Sequence, residues 1–372
     1  MTNTCTNSGE SARMNSTSSP RHSGFGLCPS FEPDMMRLHQ RHEQAISHQP
    51  PNQSVDNPIP RVLVIEGPTA SGKTALAHRL AEELPLEIIS ADSRQIYRGL
   101  DIGTAKPTPA ERTKYHYQGI DLCYPDQQMS AGTFAHLAWK WIQAIVSRGN
   151  APLIVGGSGL YVRAILEGFV SEPNTIPAEL RARLIERLHT EGRDALYAEL
   201  QELDPALAAR YADRNPRRIL RALEFYYGHG LPLSQAQRTF HHAPPPMEVL
   251  RIRLFPERER LYRRINERTH AMWQSGLVEE TRSLLEAGYA PSLPVLTTIG
   301  YAEAIAVLHG KLPLEHAIER TAQRTRHYAK RQYTWLRHAG MHAPSGIIDL
   351  QMFGDEPSII ISTITNFLCQ ER

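Results

Sequence analysis

At 372 residues the chain has room for about two or three domains and a substantial core, and its 41 Lys+Arg against 39 Asp+Glu leave it nearly neutral. That balance says nothing for or against nucleic acid, so local clustering of charge has to carry that question. The four cysteines Cys5, Cys28, Cys123 and Cys369 form no C-x-x-C pair, which excludes a disulfide scaffold and a cysteine zinc site. No run approaches the ~18 apolar residues of a membrane span, and the N-terminus has no signal-peptide apolar core. A soluble protein of the reducing cytoplasm is expected.

Residues 1–58 are rich in Ser, Asn, Thr, Pro, His and Gln. Such a segment buries too little apolar surface to offset its ordering entropy, so disorder is expected. His22, His39, His42 and His48 read as solvated side chains and not as ligands.

The folded pattern then opens with an apolar run, Val62–Ile65, which predicts a buried parallel strand. It leads into Gly67-Pro68-Thr69-Ala70-Ser71-Gly72-Lys73-Thr74, which fits G-x-x-x-x-G-K-[ST], and a helical pattern follows over Ala75–Leu84. The glycines let successive amides point at an anion. The helix N-terminus and Lys73 add positive charge, and Thr74 offers a hydroxyl suited to Mg²⁺. The stretch reads as a di- or triphosphate site, ATP among its possible ligands.

A second strand, Leu86–Ser90, delivers Ala91-Asp92-Ser93-Arg94-Gln95 at its carboxyl end, where ligands of open α/β sheets sit. The loop from Ile96 to Pro107 has either a plain connecting role or, through Thr104 and Lys106, a second anion contact. Ala131–Arg148 predicts an amphipathic helix with Phe134, Leu137, Ala138, Trp141, Ile142 and Ile145 on its buried face. A third strand, Ala151–Val155, ends in Gly156-Gly-Ser-Gly159, where nucleotide-hydrolysing proteins of this type commonly place an Asp. Motor or switch chemistry therefore loses ground.

From Pro177 to about Gly230 the pattern is all helical, over Pro177–Gly192, Asp194–Leu203 and Pro205–Gly228, as in an insertion into an α/β core. Arg214, Arg217, Arg218 and Arg221 fall three and four apart, without evident acids on their face. Phosphate contact is one reading of that face, a solvated surface the other. Glu248–Phe255 predicts a returning strand, Arg258–Ala287 a long helix, and helices resume after Leu296–Tyr301. The last of them carries Arg320, Arg324, Arg326, Lys330, Arg331 and Arg337, with Tyr328, Gln332, Trp335 and Leu336 on a more apolar side. Beyond Ser345 only a weak pattern over Pro357–Phe367 is visible.

Six ordered motifs now stand together: Gly67–Thr74, Asp92-Ser93-x-Gln95-x-Tyr97, Asp101–Pro107, Gly156–Tyr161, Thr298–Tyr301 and Ala329–Arg337. Over residues 60–345 the chain closely resembles the bacterial tRNA dimethylallyltransferase (tRNA isopentenyltransferase) family. The resemblance implies a P-loop NTPase-like parallel sheet with an inserted all-helical tRNA-binding domain. It implies transfer of a dimethylallyl group from its diphosphate to N6 of the adenosine 3′ of the anticodon (position 37), in tRNAs reading codons that begin with U. It further implies Asp92 as general base, Lys73 and Thr74 at the diphosphate with Mg²⁺, and a monomer. Asp92, Ser93, Arg94 and Gln95 would contact the extruded base and its neighbours. Ser158, Arg181 and the run Arg217, Arg218, Ile219, Leu220, Arg221 would contact tRNA. The family often has Thr in place of Ser158 and Gln in place of Arg217, which keeps a hydroxyl at the first and leaves the role of the second open.

The domains expected are a tail (1–58), a first core part (59–170), a helical insertion (171–240), a core completion (241–345) and a C-terminal segment (346–372). A P-loop kinase for a small metabolite would explain Gly67–Thr74 and Asp92 but not the later motifs. A binding-only RNA protein would have no use for Lys73, Thr74 and Asp92 together.

Overall fold

Val62 to Ile65 are wholly buried because both faces of their strand, β1 (Arg61–Glu66), are covered. The computed structural model describes residues 59–170, 176–338, 347–352 and 357–369; the tail expected to be disordered, residues 1–58, lies outside the described residues. Strand β1 is central in a five-stranded sheet of order β2-β3-β1-β6-β7, with β2 Leu86–Ser90, β3 Ala151–Gly156, β6 Glu248–Leu254 and β7 Ile347–Met352. All four pairings are parallel, with Leu63 opposite Leu153 and Val64 opposite Arg251. The loops that follow β1, β2 and β3 therefore gather at one edge of the sheet.

Alternation along β1 feeds two cores. Val62 and Val64 join Ile89 and Ile154 against α3 (Ala131–Ser147) and α4 (Gly159–Glu167), through Phe134, Ile142 and Ile165. Leu63 and Ile65 face the other way, with Ala77 and Leu80 of α1 (Lys73–Glu83) and Ile360 and Ile364 of α14 (Pro357–Cys369). The short α2 (Pro109–Lys114) opens with a capping box between Thr108 and Glu111.

The polar positions of β6 are also inside. Arg251 donates to the Glu66 carboxylate at 2.5 Å, and Arg253 donates to the carbonyl of Leu336. Both arginines are at most 5% exposed, so the alternation in Glu248–Phe255 marks an internal ion pair and not a solvated face.

The chain leaves the sheet region through β4 (Phe169–Val170) and returns through β5 (His241–His242), two strands paired antiparallel, Val170 opposite His241. Between them lie α5 (Ala178–Thr190), α6 (Arg193–Leu203), α7 (Pro205–Arg210), α8 (Pro216–His229) and α9 (Leu233–Thr239). They share a core of their own around Leu196, Leu200, Leu207, Ile219, Leu223 and Phe225. The stretch expected to be one helix over Pro205–Gly228 is two: Arg214 adopts a left-handed φ of 49°, and Asn215 accepts from the Arg217 amide at 3.1 Å as the cap ahead of Pro216.

The long pattern over Arg258–Ala287 likewise divides, into α10 (Arg258–Gln274) and α11 (Leu277–Glu286), at Gly276 with φ 101°. Then come α12 (Tyr301–Leu308) and α13 (Leu314–His338). Strand β7 went unseen in the sequence. It pairs with β6 from Val249–Ile347 to Leu254–Met352, and so joins the C-terminal stretch to the sheet. Among the described residues no helix is long and apolar enough to cross a membrane.

Candidate active site

The loop between β1 and α1 is a backbone nest. Ala70 (φ 62°) and Gly72 (φ 93°) both adopt left-handed conformations, which turn successive amides inward. A Cβ on Gly67 would stand 2.5 Å from Ser71 Oγ, so the loop closes only around glycine. Ser71 Oγ itself is buried without a hydrogen-bond partner among the described residues, a donor in reserve. Lys73 Nζ donates to the Pro68 carbonyl at 2.7 Å. A cavity of about 380 Å³ opens beside it, lined by Ala70 to Ala75 and, from α10, by Arg264, Glu267 and Arg268.

Burial pulls the Lys73 ammonium down to about 8, against the pull of Asp92 and with a further push from Arg268. Arg268 is also depressed by burial and held up by Asp92. Lys73 and Arg268 thus both feel the Asp92 carboxylate, and Lys73 that of Glu66 as well. Arg268 escaped the sequence reading; its signal would have been the Arg264/Arg268 pair, four apart on a helix otherwise read only as charged.

Asp92 is presented by the turn after β2. Its Oδ1 accepts the Arg94 amide at 2.9 Å, which leaves Oδ2 for other work. The turn is tied to the loop after β3, where Ser158 Oγ accepts the Ser93 amide at 2.9 Å and lies 3.1 Å from Ser93 Oγ. Gly156 permits this approach, since a Cβ there would fall 2.2 Å from the Ala91 carbonyl. Gln95 is occupied internally: its oxygen accepts from Ser90 Oγ at 2.9 Å and its nitrogen donates to Ala105 O at 3.2 Å. From α13, Tyr328 comes close enough to Asp92 that burial and that charge raise its phenol to about 12, and the Arg331 guanidinium lies 5.7 Å from the Tyr328 ring centroid.

The second anion contact expected at Thr104 and Lys106 is not available. Lys106 Nζ is enclosed, donating to Asp101 at 2.5 Å, to Asp121 at 2.6 Å and to the Tyr97 carbonyl at 2.7 Å. Thr104 Oγ1 donates to Leu100 O at 2.6 Å. The amides of Asp101, Ile102 and Gly103 do form an anion nest, but Glu280 of α11 fills it, at 3.0, 2.7 and 3.1 Å.

On the helical module the arginine face has acids after all. Arg214 meets Asp194 at 3.0 Å, Arg218 meets Asp213 at 3.5 Å, and both Arg181 (2.9 Å) and Arg221 (3.6 Å) meet Glu224. Arg214 precedes the helix instead of sharing its face. Arg217 is exposed, whereas Ile219 is 0% exposed in the module core with Leu220 packed against it, so the Ile219 side chain cannot touch a ligand. On α13, Arg320 and Arg324 turn to the buried Glu303, and Arg326 donates to Asn266 at 2.6 Å; Lys330, Arg331 and Arg337 are exposed. The structure therefore brings together the phosphate loop, Lys73, Arg268, Asp92, Ser93 and Ser158. Arg181 and Arg217 to Arg221 stand outside that cluster, on α5 and α8.

The family model for IPP transferase matches residues 95–339. A tRNA dimethylallyltransferase 1 of Pelobacter propionicus is 45% identical over 278 residues, 75% of this chain and 90% of that protein. A tRNA dimethylallyltransferase of an Anaeromyxobacter species is 46% identical over 277 residues, 74% of this chain and 90% of its own length. Among solved structures, the tRNA isopentenylpyrophosphate transferase of Bacillus halodurans superposes with a TM-score of 0.57 at 35% identity, covering 83% of this chain and 95% of that one. A eukaryotic dimethylallyltransferase acting on tRNA superposes at 0.68 with 27% identity, over 84% and 82% of the two chains.

Proposed function

The chain belongs to the IPP transferase family, and from that premise we propose that it transfers a dimethylallyl group from dimethylallyl diphosphate to tRNA. The acceptor is N6 of the adenosine on the 3′ side of the anticodon, position 37, in tRNAs that read codons beginning with U, and diphosphate is released. The observation that supports this reading most is the placement, at the carboxyl ends of the strands, of a cavity lined by the phosphate loop with Lys73 and by Arg268, next to the Asp92 turn that Ser158 holds through Ser93.

The chemistry asks for that combination. The N6–C1 bond forms as the allylic C1–O bond breaks, and the bonding pair leaves with diphosphate. Preorganised amides, Lys73 and Arg268 stabilise the charge that grows there. The adenine amine is a weak nucleophile because its lone pair is delocalised, and Asp92 takes the proton it sheds. A base reaches a recessed carbon only when it leaves its stack, so the adenosine is flipped. Ser93, Arg94 and Ser158 contact it and its neighbours, while Gln95, occupied by Ser90 and Ala105, holds the turn that presents them. Arg181, Arg217, Arg218 and Arg221 contact the tRNA backbone, while Ile219 and Leu220 support that helix by packing.

Mg²⁺ fits as an ion held chiefly by the substrate: Thr74 is exposed at the amino end of α1, and no group of three or more His, Cys, Asp or Glu among the described residues could hold a metal. When bound, it neutralises part of the charge on the leaving diphosphate. Residues 171–240 serve tRNA binding and residues 59–170 and 241–345 the transfer chemistry, while β7 (Ile347–Met352) is an edge strand of the sheet. The enzyme works as a cytoplasmic monomer.

Radiolabelled dimethylallyl diphosphate and an anticodon stem-loop with an A-A-A run test this directly. Label should enter the RNA with wild type and fall about 10²- to 10⁴-fold with Asp92→Ala while RNA binding persists. No label with wild type, and ATP consumed on a small acceptor instead, would sink the proposal.

A further inference from the structure

One side chain joins the two loops that the reaction has to keep apart at a fixed distance. Gln332, on α13 and only 8% exposed, accepts the Thr69 amide of the phosphate loop through Oε1 at 2.8 Å. Through Nε2 it donates to the Gly157 carbonyl of the loop after β3, also at 2.8 Å. Thr69 N can only donate and Gly157 O can only accept. The orientation of the carboxamide is therefore dictated by its partners, and no other neutral side chain of that length meets both. Gly157 is required by the same contact, since a Cβ there would come within 2.6 Å of Nε2.

Each loop leads to one half of the chemistry. Thr69 lies three residues before Gly72 and four before Lys73, at the diphosphate. Gly157 adjoins Ser158, which holds Ser93 beside Asp92. We infer that Gln332 is a positioning residue that locks the diphosphate loop to the adenosine-side loop, and so sets the distance over which the N6–C1 bond forms. It touches neither substrate. The inference rests on the function proposed above.

Helix α13 gives the lock a second use. One turn before Gln332 the helix carries Tyr328, near Asp92. One turn after it, Trp335 lies where a Cβ on Gly159 would be 1.9 Å from the indole nitrogen. By the same inference, a shift of α13 would be carried by Gln332 to the Thr69 amide.

The test uses Gln332→Met and Gln332→Glu in the full chain. The Met variant loses both hydrogen bonds: kcat should fall about 10- to 100-fold with RNA affinity unchanged, because misplacement of about an ångström costs that much. Its Thr69 amide should exchange with solvent faster than in wild type. The Glu variant keeps the acceptor for Thr69 but loses the donor to Gly157 and sets a negative charge beside the diphosphate. Its Thr69 amide should stay protected while KM for dimethylallyl diphosphate rises about tenfold. A Met variant with wild-type kcat, or with Thr69 exchange unchanged, would overturn the lock. If wild type transfers no label at all, the proposed function fails, and the Thr69 exchange comparison still decides whether the lock exists.

Discussion

Tyr301 donates its hydroxyl to Glu280 Oε1 at 2.6 Å, and the Tyr301 ring fills the space where a Cβ on Gly103 would sit 2.4 Å away. The same carboxylate gathers the amides of residues 101 to 103, so the run Asp101–Pro107 is shaped around an internal anion. Burial and Glu280 together raise the Tyr301 phenol well above its usual range. Glu280→Ala should destabilise the fold by about 2–4 kcal/mol, since hydrogen bonds to a charged group are worth ~1.5–3 kcal/mol each and the amides regain only part of that from water. Urea unfolding measures the loss, and faster exchange at residues 101 to 103 locates it.

Lys73 sets a pH signature for the phosphate loop. Its ligand-free pKa, lowered by burial to about 8, lies below the ordinary 10.5. Diphosphate favours the charged form, so affinity should hold below about pH 8 and fall roughly tenfold per pH unit above it. Calorimetry in buffers of different ionisation enthalpy should show proton uptake on binding near pH 8.5, absent in Lys73→Met. For folding the sign is the reverse of a salt-bridged lysine. The depressed pKa is a cost that is full below about 8 and fades as the pH rises toward 10.5, so Lys73→Met should stabilise the ligand-free protein at pH 7 by about 1–3 kcal/mol.

Two neighbours on α8 separate packing from contact. Ile219→Ala empties a fully buried position and should cost about 2–5 kcal/mol of stability. Arg217→Ala, on the exposed side, should leave the melting temperature unchanged, weaken tRNA binding and reduce the salt slope of the association constant by about one. Equal losses of tRNA affinity at unchanged stability in both variants would contradict the assignment.

The Glu66–Arg251 pair inside the sheet offers a double-mutant cycle. Removing one partner, as in Glu66→Leu, takes from the buried Arg251 guanidinium the carboxylate it donates to at 2.5 Å and should cost about 3–5 kcal/mol. Glu66→Leu with Arg251→Leu should recover most of that, because the pair's attraction barely exceeds its desolvation cost. Chemical denaturation of the single and double variants measures the coupling.

Much of this fold could be read from the chain because its elements are locally consistent. The phosphate loop is bounded by a continuous apolar strand and a helix, and the observed β2 has the predicted ends, Leu86 and Ser90. Several readings that failed turned on where a charge finds its partner. Lys106 looked available because Asp121, which encloses it, lies fifteen residues away. Arg214 to Arg221 seemed unmatched because the acids that meet them come from α6, the turn before α8, or the buried Glu224. Strand β7 was hidden by its polar centre, Asp349 and Gln351, in a strand only six residues long. Arg268 and Gln332 joined the site through long-range packing of α10 and α13; the Arg264/Arg268 spacing and the Ala329–Arg337 motif mark the residues but not what they pack against.

The two-stranded ribbon of Val170 and His241 bears on how such an enzyme changes its substrate. Paired residues on adjacent antiparallel strands are about 5 Å apart, so the whole helical module departs and returns through a doorway one strand spacing wide. A segment attached in that way behaves as a cassette. Exchange or loss of everything between the two strands leaves the path of the phosphate loop, of Asp92 and of α13 untouched. With the module gripping tRNA as proposed, the acceptor that is held and the bond that is made would then diverge separately, one by replacing a cartridge and the other only by rebuilding the sheet.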